Sequence, residues 1–338
     1  MNASFLDLID LAAERLGASV VEANDEFFAP KENLIKSQGA AWIDGKYTDR
    51  GKWMDGWETR RRREPGHDWC IVRLGLPGVV RGVDVDTAFF MGNYPEACAI
   101  DVCHFVEAPA GDVTRADWRE VLPRTILEGD SHNIFATAEA PGATHVRLRI
   151  FPDGGVARLR VYGHVTPDWS AIAREAGGGD VDLAAVAHGG LVIGCSDMFF
   201  GSRHNLIMPG DAQTMGDGWE TKRRRGPGHD WTIIRLGAAG SIQRLDVDTR
   251  HFKGNAPGAF SLDGCSMERD ADVLRQAQHE GQPWRQLVPQ TPLSPNARHV
   301  FREEVLRIGD VTHVRFNIYP DGGVARLRLY GKPHAAQV

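Results

Sequence analysis

The feature that most narrows what this chain can fold into is that it contains itself twice. DGWETRRRREPGHDW at residues 55–69 returns as DGWETKRRRGPGHDW at 217–231, with 13 of 15 positions identical. The displacement, 217 − 55 = 162, persists through the next block, where DVDT, Phe90/Phe252, Gly92-Asn93/Gly254-Asn255 and Pro95/Pro257 are shared. THVRLRIFPDGGVARLRVYG (144–163) returns as THVRFNIYPDGGVARLRLYG (312–331), 16 of 20 identical at a displacement of 168, so the second copy holds six additional residues between about 260 and 311. Upstream, Asp25, Phe27-Phe28, Asn33 and Leu34-Ile35 lie over Asp197, Phe199-Phe200, Asn205 and Leu206-Ile207. Two domains suit 338 residues, because one hydrophobic core rarely organises so long a chain. Gly177-Gly178-Gly179 makes a linker between the copies, and the boundary is placed near 172, giving repeats over 1–172 and 173–338.

Within each copy the pattern is that of strands. VRLRI (146–150) and RLRVY (158–162) alternate apolar and polar residues with period two, as strands covered on one face do. Pro152-Asp153-Gly154-Gly155 between them reads as the connection of a β-hairpin, repeated at Pro320-Asp321-Gly322-Gly323. WCIVRLG and VVRGVDVDT read as two more strands split by a Pro-Gly turn. Short strands with turn signals predict an all-β protein built of sandwiches. Helix is expected only at 4–16, with Ser4 as N-cap, and as a single turn over Asp117 to Leu122.

A formal charge of −6 argues against nucleic acid as a partner despite the arginine run. The five cysteines, Cys70, Cys98, Cys103, Cys195 and Cys265, lack a disulfide or CxxC pattern and read as reduced thiols. With no signal peptide pattern and no apolar stretch long enough for a bilayer, a cytoplasmic home without a membrane partner is expected.

The chemistry-bearing residues cluster in the repeated blocks. Trp57 and Trp69, like Trp219 and Trp231, frame the basic run, so structural duty is expected of about half its arginines, through stacking or pairing with Asp55, Glu58 and Asp68. The rest suit a small anion, because the guanidinium fork grips a carboxylate bidentately. His67-Asp68 and His229-Asp230 offer an imidazole beside a carboxylate, the materials of general acid–base catalysis. Adjacent strand residues face opposite ways, so one member of each pair reaches a given pocket, and a capping or turn role is an equal reading. Asp84 and Asp86, like Asp246 and Asp248, share a strand face and suit a carboxylate pair or, with histidine help, a metal. GxSxG, HExxH and GxxxxGK[ST] are absent. No ligand spacing argues for a tightly held metal, so no essential cofactor is expected, and activation by a divalent cation stays open.

With these blocks each present twice, the chain resembles the allantoicases, the allantoate amidinohydrolases of purine breakdown. The resemblance covers nearly the whole chain and implies two tandem jelly-roll β-sandwich domains of the galactose-binding-like type. It also implies the reaction of allantoate with water to give ureidoglycolate and urea, and a symmetric homo-oligomer. For that substrate, Arg61 and Arg223 are assigned to the carboxylate, and Glu58 and Glu220 to the ureido nitrogens. Asp86, Asn93, Asp248 and Asn255 are further acceptors for the ureido arms, and His67 or Asp68, with His229 or Asp230, carries the proton. The sequence leans toward neither copy as the active one, but Arg250, His251 and Lys253 make the second copy's loop the more basic, so that if there is a single pocket it is expected there. The rival reading is a tandem carbohydrate-binding module without activity.

Overall fold

The structure, a computed structural model, describes residues 4–106, 112–277, 281 and 283–334. The chain divides by its contacts into Met1–Thr166 and Pro167–Val338, a boundary six residues before 172. Each unit repeats one architecture.

In the first unit the principal strands are β1 (Ser19–Ala23), β2 (Asp68–Asp86), β3 (Ala97–Cys103), β4 (Arg119–Ile126), β5 (His132–Ala136), β6 (Ala143–Phe151) and β7 (Arg158–Val165). All the pairings are antiparallel. β2 is 19 residues long and runs through both halves of one eight-stranded sheet. Its first half pairs with β1 and β6, and β3 and β4 continue outward from β6. Its second half pairs with β7 and β5. The inward residues of one half, among them Val72, Ile100, Val146 and Leu148, and those of the other, Val83, Val85, Leu159 and Val161, are fully buried, making the packed interior of a jelly-roll sandwich. The second unit repeats these strands as β8 (Leu191–Cys195), β9 (Asp230–Asp248), β10 (Ala259–Cys265), β11 (Arg285–Pro292), β12 (Arg298–Phe301), β13 (Val311–Tyr319) and β14 (Arg326–Pro333). The tandem all-β organisation expected from sequence is the one present.

Four local expectations are corrected. Pro77-Gly78 is no turn: Gly78 is where β2 stops pairing with β6 and begins pairing with β7. β6 and β7 therefore form no hairpin, because both lie against β2, and the PDGG segment crosses from one side of β2 to the other. Residues 4–16 form two 3₁₀ turns, Ser4–Asp7 and Glu14–Leu16, around an edge strand, Ile9–Asp10. Tertiary pairing overrides helix propensity there: Ile9 and Asp10 dock on Gly163 and Tyr162, and the Asp10 carboxylate accepts the N–H groups of Ala12 and Val161. The turn expected over Asp117 to Leu122 is largely β4, preceded by a 3₁₀ turn at Val113–Arg115. A helix at Trp169–Ala176, capped by Asp168 and closed by Gly177 at positive φ, went unread because the glycine run masked it.

The copies also differ in length upstream of the arginine run. Asp25 lies over Asp197 at a displacement of 172, against 162 at residue 55, so the first copy holds ten more residues there. They include a small hairpin, Tyr47–Thr48 with Gly51–Lys52, from which Arg50 donates to the carbonyl of Phe27 at 2.8 Å.

Candidate functional site

The PDGG crossing and the arginine run are stitched together, and this builds the site. Gly155 and Val156 pair with Glu58 and Trp57 as a two-residue ladder. Thr59 N–H donates to the Gly154 carbonyl, and Gly154 N–H returns a bond to Thr59 Oγ1, both at 3.1 Å. Trp57 is fully buried, with its indole N–H donating to the Asp25 carbonyl at 2.8 Å. A Cβ at Gly155 would lie 1.9 Å from the Phe90 ring, so any larger residue there has to displace that ring.

The four arginines alternate in role. Arg60 is pinned to Asp25, Nε to Oδ2 at 2.6 Å with its N–H on Oδ1 at 2.9 Å. Burial by itself would raise the Asp25 carboxyl, but these bonds and the Phe27 N–H outweigh it and hold it below its ordinary value. Arg62 is pinned at both ends: its N–H donates to Asp153 at 2.9 Å and its guanidinium to Asp68 at 2.6 Å. Arg61 and Arg63 are exposed and make no ion pair with described residues. Alternating fixed and free side chains is what an extended segment produces when one side rests on protein.

Over this segment lies a cavity of about 840 Å³, lined by Glu58, Arg61, Arg63, Asn93, Tyr94 and Phe28 among others. Glu58 Oε1 accepts from Asn93 Nδ2 at 2.7 Å, and burial pushes its carboxyl above the ordinary glutamate value, an effect the Asn93 bond only partly offsets. A hollow of about 610 Å³ borders the same arginines and contains Asn24, Asp25 and Asp68.

The second unit keeps the plan. Trp219 donates to the Asp197 carbonyl at 2.8 Å, Arg224 N–H to Asp321 at 2.8 Å and its guanidinium to Asp230, while Asn255 donates to Glu220 at 2.6 Å. Arg223 lines a hollow of about 350 Å³ with Asp197 and Asp230. Met215 sulfur lies 3.8 Å from Asn255 Nδ2 and occupies space beside the Glu220 pair.

Of the residues singled out from sequence, Glu58, Arg61 and Asn93 come together; the others do not join them. Asp68 is 2% exposed and spent on Arg62 and Asn24. His67 packs on Phe151 with ring centroids 5.1 Å apart and is absent from the cavity lining. Burial first, then the charges of Arg149, Arg147 and Arg62, lower the proton affinity of its imidazole. The second unit shows the same split, Asp230 bordering the arginine hollow and His229 a separate one of about 560 Å³. Alternation at the start of β2 and β9 is the physical reason. Asp86 caps its own turn, accepting Ala88 N–H at 2.8 Å, and Asp248 is bound by Arg250. Asp84 pairs with His132 at 2.8 Å, and Asp246 with Arg244 at 3.0 Å, so neither carboxylate pair acts as a unit. Two of the second loop's basic residues are tied down as well, Arg250 on Asp248 and Asp211, and His251 on the Ala212 carbonyl.

Sequence reading missed Asp25 and Asp153, which position the run, and Arg158. That buried guanidinium reaches Asp55 at 2.7 Å and the Gln38 carbonyl at 2.8 Å. The signal was present in the exact duplication of PDGGVARLR, read there only as a turn and a strand. Among the described residues no three of His, Cys, Asp and Glu gather as a metal site, the five cysteines are free, and no helix is long and apolar enough to cross a membrane.

Fold and site together define a class: tandem jelly-roll sandwiches in which an arginine segment, braced by acidic residues, borders a small-molecule hollow. The sequence pattern described as the allantoicase repeat matches residues 9–166 and again 181–334. A relative in Photobacterium profundum, named probable allantoicase, is 47% identical over 97% of both chains, and one in Pseudomonas aeruginosa is 48% identical over 98% of both. The crystal structure of allantoicase from Saccharomyces cerevisiae superposes with a TM-score of 0.80 at 34% identity, covering 96% of this chain and 93% of that one. The chain belongs to the allantoicase family.

Proposed function

We propose that this protein is an allantoicase that hydrolyses allantoate to ureidoglycolate and urea in the cavity of its first repeat. The observation that carries the reading is the convergence of a free guanidinium, Arg61, and a half-buried carboxyl of raised proton affinity, Glu58, on one hollow of about 840 Å³. Allantoate is a carbon bearing one carboxylate and two ureido arms. Arg61 suits the carboxylate, and Asn93 and Glu58 suit the amide edge of one arm.

Glu58, rather than His67 or Asp68, is then the proton carrier, with Asn93 orienting its carboxyl. The Glu58 proton goes to the leaving nitrogen as the central C–N bond breaks and its electron pair leaves with urea. Water forms the new C–O bond at the same carbon and returns a proton to Glu58, so one water is consumed for one urea and one ureidoglycolate. Asp68, Asp25 and Asp153 act on Arg60 and Arg62 and keep the segment in place.

Purified protein incubated with allantoate should release urea and ureidoglycolate in equal amounts. Glu58→Gln should lower kcat by about 10²–10⁴, the range for a lost general acid, while Arg61→Leu should act mainly on KM. An absence of product, with and without Mn²⁺, removes the enzyme reading.

A further inference from the structure

The two repeats differ most informatively on the outer face of the sheet that carries the histidines. In the first, Arg149 and Ala99 are cross-strand partners, and Arg149 reaches Asp101 at 2.9 Å and Glu120 at 2.6 Å. Arg147 joins Asp101 at 2.9 Å, so long charged side chains fill that face. In the second, the same register places Asn317 against Ser261, and Gln286 stands where the first has Glu120. Replacing a guanidinium by a short amide opens the hollow of about 560 Å³ that His229, Ser261, Asp263, Trp284, Arg315 and Tyr319 line with Asn317.

The polar groups of this hollow are organised. Asn317 is 2% exposed, and its Nδ2 donates to Ser261 Oγ at 3.0 Å and Asp263 Oδ2 at 2.9 Å. Ser261 Oγ also meets the Tyr319 hydroxyl at 2.9 Å. These bonds orient the amide, leaving its Oδ1 buried with no hydrogen bond of ordinary geometry. The His229 ring, packed 4.7 Å from Tyr319, is the group beside that oxygen; its hydrogen-bonding interaction with the Asn317 side chain favours the protonated imidazole, but burial dominates and lowers its proton affinity. An amide oxygen has two lone pairs, and with only this poorly aligned imidazole beside it the buried Oδ1 is under-satisfied until a ligand or water supplies a well-directed donor.

Charge in the hollow is already balanced. Arg315 pairs with Asp263 at 2.9 Å and donates to the Ala277 carbonyl at 2.9 Å, with its guanidinium 5.0 Å from the Trp284 ring centre. A free anion therefore meets no spare cation, while a planar neutral group meets aromatic walls and an acceptor aimed at N–H.

We infer that the outer face of the second repeat is a binding site for a small, neutral, N–H-rich planar group of the ureido or carboxamide class, distinct from the cavity of the first repeat. It stands independently of the turnover reading. Asn317 Oδ1 receives the ligand's N–H, and the tryptophan and tyrosine rings flank its plane.

The full-length protein, labelled in its histidine rings, is titrated with methylurea and, separately, with inorganic phosphate, following the His229 resonances by NMR, assigned with His229→Gln. Methylurea should shift His229 saturably, and phosphate should leave it unmoved. Asn317→Arg, which restores the first repeat's residue, should weaken the methylurea response at least tenfold. The triple change S261A/Q286E/N317R copies a set of side chains that already folds in the first repeat and should do the same, so a folding failure of the single variant does not rescue the idea. Allantoate turnover by these variants should stay within a factor of two of the parent. A phosphate response, no methylurea response, or an unchanged response in both variants overturns the site, whereas loss of turnover with Glu58→Gln bears on the other cavity alone.

Discussion

The pair formed by Asp68 and Arg62 allows a sharp prediction, because both the site and the fold rest on it. Asp68→Asn keeps the shape and removes the charge. In the native protein the carboxylate, 2% exposed, accepts from Arg62 at 2.6 Å and from Asn24 at 2.8 Å. Breaking a fully buried pair costs about 3–5 kcal/mol and an exposed one about 0–1. The Arg62 side chain is 28% exposed, so solvent takes up part of the loss and about 2–3 kcal/mol is expected. For a unit of this size each kcal/mol moves the midpoint by about 2–4 °C, so the first repeat's transition should fall by roughly 4–12 °C. Urea denaturation, read in a double-mutant cycle with Arg62→Met, separates the pair from the two single losses. A coupling below about 0.5 kcal/mol, the level at which independent sites add, means the two groups do not support one another and the bracing argument fails.

Other tests follow from the same geometry. Since burial raises the Glu58 proton affinity and the mechanism uses its protonated form, kcat/KM should decline as pH climbs through that raised value, and Glu58→Gln should abolish this limb of the profile. Gly155→Ala forces a methyl group into the Phe90 ring and should cost about 1–3 kcal/mol in thermal unfolding; an unchanged midpoint contradicts the packing. His229 is held below its ordinary value, so its contribution to stability is present above pH 6.5 and is lost as pH falls through that value toward the lowered one. Comparing urea midpoints at pH 7.5 and 5.5 for the parent and His229→Gln checks the sign, which is wrong if the parent gains on acidification what the variant does not.

How much of this was legible beforehand differs residue by residue. Glu58, Arg61 and Asn93 were nominated from repeated motifs, and they line one cavity because the Trp57-Glu58 ladder and the Phe90-Gly92 loop meet at the PDGG crossing. His67 and Asp68 were nominated as neighbours in a dipeptide, yet a strand sends neighbours to opposite faces, and each settled in different company. Asp86 looked like a ligand by spacing but is consumed by a backbone N–H two residues on. The N-terminal apolar rhythm at 4–16 suggested a helix until the Asp10 carboxylate found two N–H partners, one of them 151 residues away at Val161.

Duplication, strand content and the inventory of guanidinium and carboxyl groups were determined by the sequence, because they depend only on residue order and the intrinsic geometry of the chain. Which arginines are free, which hollow each histidine borders, and why one repeat fills a surface that the other leaves open were decided by tertiary structure. Those outcomes turn largely on contacts between residues distant in sequence, such as Arg60 with Asp25 and Arg62 with Asp153, 35 and 91 positions apart, which no local pattern specifies.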